Sequence, residues 1–307
     1  MKASRLFRGT ATALVTPFDE GGEFDDGAFR KLIAYQVDGG IDAIVVLGTT
    51  GENPTVSDAE RERIVTAAVE TAAGAVPVIV GAGTNDTAAS VRYSRQADES
   101  GADGLLVVGP YYNKPSQRGF AAHVEAIAAA TDLPIVLYNV PGRTGFRAAA
   151  DTVLMLAASI PSVVAIKEAS GDLAHISDIL VGRPDGFGVY SGDDELTLAL
   201  LALGADGVVS VISNVLPNQF GMLVGAGLAG DFELARRIHY DLLPVTRACF
   251  AATNPVPVKA MLASLGLMTD RVRLPLVSLD SAERVRVLEP LERLLSMKAS
   301  SDRRLAS

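Results

Sequence analysis

Along roughly the first two thirds of the chain, short apolar runs alternate with longer stretches in which apolar residues recur every three or four positions. The runs at 9–15, 43–47, 78–80, 104–108, 135–138, 163–167, 187–190 and 207–211 are mostly rich in Val, Ile and Leu. Each is followed at once or within three residues by Gly, Thr, Asn or Ser, which predicts eight strands. Between them, 25–38, 57–73, 87–100, 119–130 and 148–158 read as helices. In the third of these, Val91, Ser94 and Ala97 fall on one side, while Arg92, Arg95, Asp98 and Glu99 can stay wet. Gly40, Gly74, Gly101 and Gly204 each follow a helical stretch, where a residue without Cβ suits a C-terminal cap. Eight strand–helix units are the number that closes a (β/α)8 barrel, so the expected fold class is α/β, a TIM barrel.

After the eighth run only helical periodicity remains. Phe232, Ala235, Ile238, Leu242 and Val245 are spaced by three and four, and Leu288, Leu291 and Leu295 repeat the pattern. Pro255 and Pro257 suit the start of a helix there. The expected organisation is a barrel over 1–222, a helical domain over 223–297 and a polar, frayed tail over 298–307.

Composition narrows the partners. The 307 residues are 49% hydrophobic, enough for a large core, and the net charge of -9 supplies no basic stripe for nucleic acid or an anionic membrane. Apolar runs such as 198–203 are too short to span a bilayer. The single Cys249 cannot form an internal disulfide and fits a reducing cytoplasm. Lys2, Arg5 and Arg8 are followed by the threonine-rich 10–17 rather than by an apolar core, so no secretion signal is expected.

The chemistry centres on Lys167, placed directly after Val163-Val164-Ala165-Ile166. A lysine at the end of a buried strand either pairs with a carboxylate such as Glu168, snorkels to water, or serves as a desolvated amine that attacks a ketone to form a Schiff base. Position alone does not choose. In a barrel of this kind, reacting groups sit at the C-terminal ends of the strands. There stand Gly48-Thr49-Thr50-Gly51-Glu52, a carboxylate cradle or an ordinary helix-capping loop, and Tyr138, a proton shuttle or a packed aromatic. Arg143 follows with a planar fork for a carboxylate, and Tyr111-Tyr112 form a loop suited to a subunit contact. His123, His175 and His239 lack metal-binding spacing, so no metal is expected. Gly81-Ala82-Gly83 lacks the third glycine of a dinucleotide loop, and the acidic Ser191-Gly192-Asp193-Asp194 would repel a phosphorylated substrate.

Taken together, Gly-Thr-Thr-Gly-Glu at 48–52, Pro-Tyr-Tyr-Asn-Lys-Pro at 110–115, Tyr-Asn-Val-Pro-Gly-Arg-Thr-Gly at 138–145, Ile-Lys-Glu-Ala-Ser at 166–170, Ser-Gly-Asp-Asp at 191–194, Gly-Val-Val-Ser-Val at 207–211 and Asn254-Pro255-Val256 resemble the dihydrodipicolinate synthase family of pyruvate-dependent class I aldolases. The resemblance implies a cytoplasmic homotetrameric lyase, free of cofactor, that condenses pyruvate with aspartate 4-semialdehyde in lysine and diaminopimelate biosynthesis. It assigns the Schiff base to Lys167 and proton transfer to Tyr138, with Thr49 and a neighbouring subunit's Tyr112 as relays. Thr50 and the backbone around Val209 would hold the pyruvate carboxylate, Arg143 would hold that of the semialdehyde, and Gly192 is counted with the substrate-binding residues. A related lyase acting on N-acetylneuraminate or a 2-keto-3-deoxy sugar acid is the nearest alternative, and Arg143 in its Pro-Gly-Arg-Thr-Gly setting favours the amino-acid substrate. A catalytically silent scaffold is the alternative from another class, disfavoured because Thr49, Thr50, Tyr112, Tyr138 and Lys167 are all intact. Lysine-inhibited relatives carry histidine and glutamate in a pocket where this chain has Asn53, Pro54, Asp58, Arg61 and Ala89, although Asn85 and Tyr111 persist, so weak or no lysine inhibition is expected.

Overall fold

The computed structural model describes residues 5–305, with side chains over 5–297. Eight parallel strands close in sequence order into a barrel: β1 (Gly9–Ala13), β2 (Ala43–Val46), β3 (Val78–Gly81), β4 (Gly104–Val108), β5 (Ile135–Asn139), β6 (Val163–Glu168), β7 (Gly188–Ser191) and β8 (Gly207–Ser210). The helices that return the chain are α1 (Asp26–Asp38), α2 (Asp58–Ala72), α3 (Thr87–Glu99), α4 (Gln117–Ala128), the short α5 (Pro141–Thr144), α6 (Ala150–Ser159), α7 (Leu173–Gly182), α8 (Thr197–Leu203) and α9 (Pro217–Leu228). The predicted strands all form, with ends shifted by at most two residues.

Strand alternation divides the core in two. Ala43 and Val45 of β2 join Ala11, Ala13, Ile79, Leu106, Tyr138 and Ala165 inside the barrel, while Ile44 and Val46 join the larger cluster between the strands and the helices. At the N-terminal end the Phe7 and Tyr190 rings stack at 4.1 Å, and the Tyr190 hydroxyl donates to Phe7 O at 2.7 Å. Asp206 there accepts from both Arg5 and Arg183 at 2.5 Å. The bottom is thereby closed by bulky groups, whereas small Ala13 leaves room at the other end.

Two expectations about organisation change. The boundary at 222/223 falls inside α9, which packs against β1 and β8 and buries Phe220, Leu223 and Val224. This is the eighth barrel helix: the helix that follows the last strand belongs to the barrel, so the appended helices begin only after Leu228. They are α10 (Phe232–Ala248), α11 (Val256–Ser264) and α12 (Ser281–Leu305). The tail expected to fray is therefore helix as far as Leu305, and residues 306–307 lie outside the described residues. Within α12 the buried positions are Val287 and Leu291, while Leu295 is exposed. No helix among the described residues is long and apolar enough to cross a membrane.

Candidate active site

Lys167 and Tyr138 are register partners on β6 and β5, each 6% exposed, and the Lys167 ammonium lies 4.3 Å from the centroid of the Tyr138 ring. The ion pair with Glu168 that the sequence left open is not formed. Successive residues of a strand point to opposite faces, so Glu168 turns away from the barrel axis. There it accepts from Ser170 Oγ at 2.5 Å and from Asn139 Nδ2, with His175 Nε2 at 3.7 Å. Among the described residues no carboxylate neutralises Lys167, which leaves its amine directed at the space above the barrel.

Gly192 contributes through what it lacks. A Cβ there would stand 2.9 Å from Lys167 Cε and 2.8 Å from Ala169 Cβ, so only glycine leaves the lysine stem its place. Its N–H donates to Glu168 O at 2.7 Å, fixing that approach. Beyond it, Asp194 is fully buried and accepts from the amides of Val211 and Ile212, both at 2.9 Å. Desolvation pushes its carboxyl up to about 6. This contact sets Val211 at the rim of the site. Val209, two residues earlier on β8, is 2% exposed among the inner-barrel residues, and its side chain does not line the cavity.

Four of the five non-glycine residues with positive φ belong to loops at this end: Leu47 (56°), Glu52 (53°), Tyr112 (72°) and Lys114 (44°). Such conformations cost on the order of 1–2 kcal/mol each and persist where surroundings over-determine them. Around Thr49 and Thr50 the restraint is visible. Thr16 Oγ1 donates to Gly51 O at 2.7 Å, Asn254 Nδ2 donates to Thr50 Oγ1 at 2.9 Å, and Ser57 with Glu60 forms a capping box that opens α2. The Tyr112 N–H donates to Thr144 O at 3.2 Å, tying its loop to that of Arg143.

These residues enclose a cavity of about 430 Å³ that contains Thr49, Thr50, Tyr138, Arg143, Lys167 and Gly192 in its wall. A smaller space of about 190 Å³ adjoins it, sharing Thr49, Tyr138 and Arg143 and adding Asn53, Pro54 and Tyr111. Tyr112 lines neither and is 88% exposed. Sequence reasoning missed the contribution of the appended helices: Arg247, Phe250 and Asn254 reach the cavity from beyond the barrel, and Arg247 pairs with Glu195 at 2.6 Å on its rim. Arg247 fits the amphipathic pattern of α10 and gave no separate signal. The break at Asn254-Pro255 was the one local hint.

A cavity walled by hydroxyls and an arginine, with an unneutralised amine at its base, fits the capture of a carboxylate-bearing carbonyl compound as an imine. These features define the chain as a (β/α)8 barrel of the lysine-dependent, class I aldolase kind. It belongs to the Dihydrodipicolinate synthetase family, which it matches over residues 6–294. It is 60% identical over 299 residues to 4-hydroxy-tetrahydrodipicolinate synthase of Salinibacter ruber, covering 97% of this chain and 99% of the relative. The crystal structure of dihydrodipicolinate synthase from Thermotoga maritima superposes with a TM-score of 0.92 at 44% identity, covering 94% of this chain and 99% of that one. The enzyme from Cyanidioschyzon merolae, solved with lysine bound, gives 0.92 at 40% identity, with 94% and 99% covered.

Proposed function

We propose that this chain condenses pyruvate with aspartate 4-semialdehyde to 4-hydroxy-tetrahydrodipicolinate, the ring-forming step of lysine and diaminopimelate biosynthesis. The observation that carries the reading is the Lys167 amine, without a carboxylate partner, 4.3 Å from the Tyr138 ring in a cavity that also holds Thr49, Thr50 and Arg143. The neutral amine attacks the pyruvate ketone, and loss of water leaves an imine. Its nitrogen draws electrons, so a methyl proton departs and the resulting enamine carbon adds to the aldehyde of the second substrate. The amine of that substrate then displaces the lysine nitrogen and closes the ring. The imine itself is the electron sink, so no cofactor is required.

In this reading Tyr138 moves protons to and from the imine, relayed by Thr49. Thr50 and the backbone near Val209 and Gly192 hold the pyruvate carboxylate, and Arg143 grips that of the semialdehyde. Tyr112 completes the relay from a neighbouring subunit of a homotetramer, which accords with its 88% exposure and its left-handed φ of 72° on this protomer. The buried, unbridged Cys249 accords with a cytoplasmic enzyme. Borohydride reduction in the presence of pyruvate, read by peptide mass, tests the first step: the adduct is expected on Lys167, and its absence overturns the reading. Turnover with aspartate semialdehyde, set against a panel of sugar acids, tests the second substrate.

A further inference from the structure

Asn254 stands at the start of α11, outside the barrel, yet it is 6% exposed and its Nδ2 donates to Thr50 Oγ1 at 2.9 Å. A hydroxyl has one proton and two lone pairs. With a lone pair taken by the amide N–H, the oxygen's proton has to be given to something else. Among the described residues no protein acceptor takes it, although Thr50 is only 3% exposed and lines the cavity. The Asn254 Oδ1 atom is closed to solvent and has no partner, so the amide's side-chain hydrogen bonding is spent on Thr50 alone. The frame behind it is rigid: Lys259, on the same helix, pairs at 2.5 Å with Glu52, on the same loop as Thr50.

We propose that Asn254 is a positioning residue that turns the Thr50 hydroxyl into a committed donor, its proton aimed at the carboxylate of the 2-oxo acid in the cavity. This rests on the reading that Thr50 meets that carboxylate. The appended helices thus act on the first substrate through an atom they do not own, by filling a lone pair of the threonine oxygen and giving its proton no competing acceptor.

The test is a double-mutant cycle read by the pyruvate concentration that half-saturates borohydride trapping at Lys167. Thr50→Val keeps the shape and removes the proton, and losing a hydrogen bond to a charged group raises half-saturation by about thirtyfold. Asn254→Ala frees the hydroxyl to rotate and raises it by about fivefold, whereas Asn254→Asp, of the same size, accepts the Thr50 proton and raises it at least as far as Thr50→Val does, about thirtyfold or more. In the Thr50→Val background, Asn254→Ala is expected to change half-saturation by less than about twofold. Independent, multiplying effects in the double variant overturn the inference and leave the assignment of Thr50 standing. An unchanged Thr50→Val variant overturns both, and a Asn254→Asp variant that traps pyruvate as well as the parent overturns the inference alone.

Discussion

Glu52 and Lys259 form an ion pair of 2.5 Å with side chains 2% and 0% exposed, joining the loop of the two threonines to α11, the second appended helix. Lys259 also donates to Arg271 O at 2.8 Å and lies 4.2 Å from the centroid of the Phe18 ring, while the Arg273 N–H donates to Glu52 Oε2 at 3.0 Å. Burial draws the ammonium down to about 8 and the carboxylate opposes that shift. Removing one partner strands a buried charge, so Lys259→Met is expected to cost about 3–5 kcal/mol in urea unfolding. Adding Glu52→Gln to that variant should restore much of the loss. A double variant as unstable as the single one would show that the pair is not the source.

A second clip nearby makes stability depend on acid. Arg273 pairs with Glu60 at 2.5 Å, and this contact is the main reason the Glu60 carboxyl falls to about 2. Its unfolded value is about 4.3. The folded state therefore releases this proton more readily than the unfolded state, and the contribution is fully present above about pH 4.5 and lost as pH falls toward 2. Arg273→Met should flatten the decline of the urea midpoint between pH 5 and about 3.5 relative to the parent. Parallel curves for the two proteins would remove Glu60 from the account.

Strands were legible because a strand buried on both faces is a continuous apolar run, as at Val78–Gly81 and Gly104–Val108. The closing helix was less so. In α9 apolar residues lie on several sides, Met222 54% exposed and Leu223 fully buried, so periodicity did not say which layer it packed on. Site residues carried by the barrel, Thr49, Tyr138, Arg143 and Lys167, could be placed because the architecture itself names the strand ends. Asn254 and Arg247 arrive from helices whose docking no local spacing encodes. Lys259 did carry a signal, a lone charge in the apolar stretch Val256–Ser264, of the same kind that drew attention to Lys167, but its partner Glu52 is distant in sequence.

Gly192 offers a steric test of the lysine's pose. A methyl group at that position would overlap Lys167 Cε and Ala169 Cβ, both closer than 3 Å, so the amine must shift. Misplacement of a reacting atom by about 1 Å costs on the order of a hundredfold in rate. Gly192→Ala is expected to slow imine trapping by about that factor and, because Ala169 Cβ cannot swing aside, to cost about 1–3 kcal/mol in urea unfolding. Undiminished trapping would mean that the lysine stem does not lie against this glycine during reaction.

Arg143 separates the two half-reactions. It sits exposed on α5 in the walls of both adjoining cavities, away from the base where Lys167 stands, and among the described residues it forms no ion pair. Loss of a charge-assisted fork to a carboxylate is worth about 2–3 kcal/mol. Arg143→Ala should lower kcat/KM for aspartate semialdehyde by about thirtyfold to a hundredfold and leave pyruvate trapping within about threefold. Equal losses in both would contradict its assignment to the second substrate.

The smaller cavity bears on inhibition by lysine. Arg61 is 2% exposed beside it, donating to Gly81 O at 2.6 Å and to Asn53 Oδ1, with its guanidinium 4.0 Å from the Tyr93 ring centroid. Burial lowers it to about 10, so it remains charged at neutral pH. Asp58, whose charge acts on Arg61, is engaged by the Tyr93 hydroxyl at 2.9 Å. An amino acid with two ammonium groups would approach a space whose Asn53 and Gly81 are held from behind by the buried Arg61 cation, a repulsion of roughly 1–4 kcal/mol at contact distance. Turnover at saturating substrates should be unchanged by lysine below about 1 mM, since a penalty of roughly 1–4 kcal/mol weakens binding by about fivefold to a thousandfold. Half-inhibition at sub-millimolar lysine would mean that Arg61 leaves this position when the effector binds.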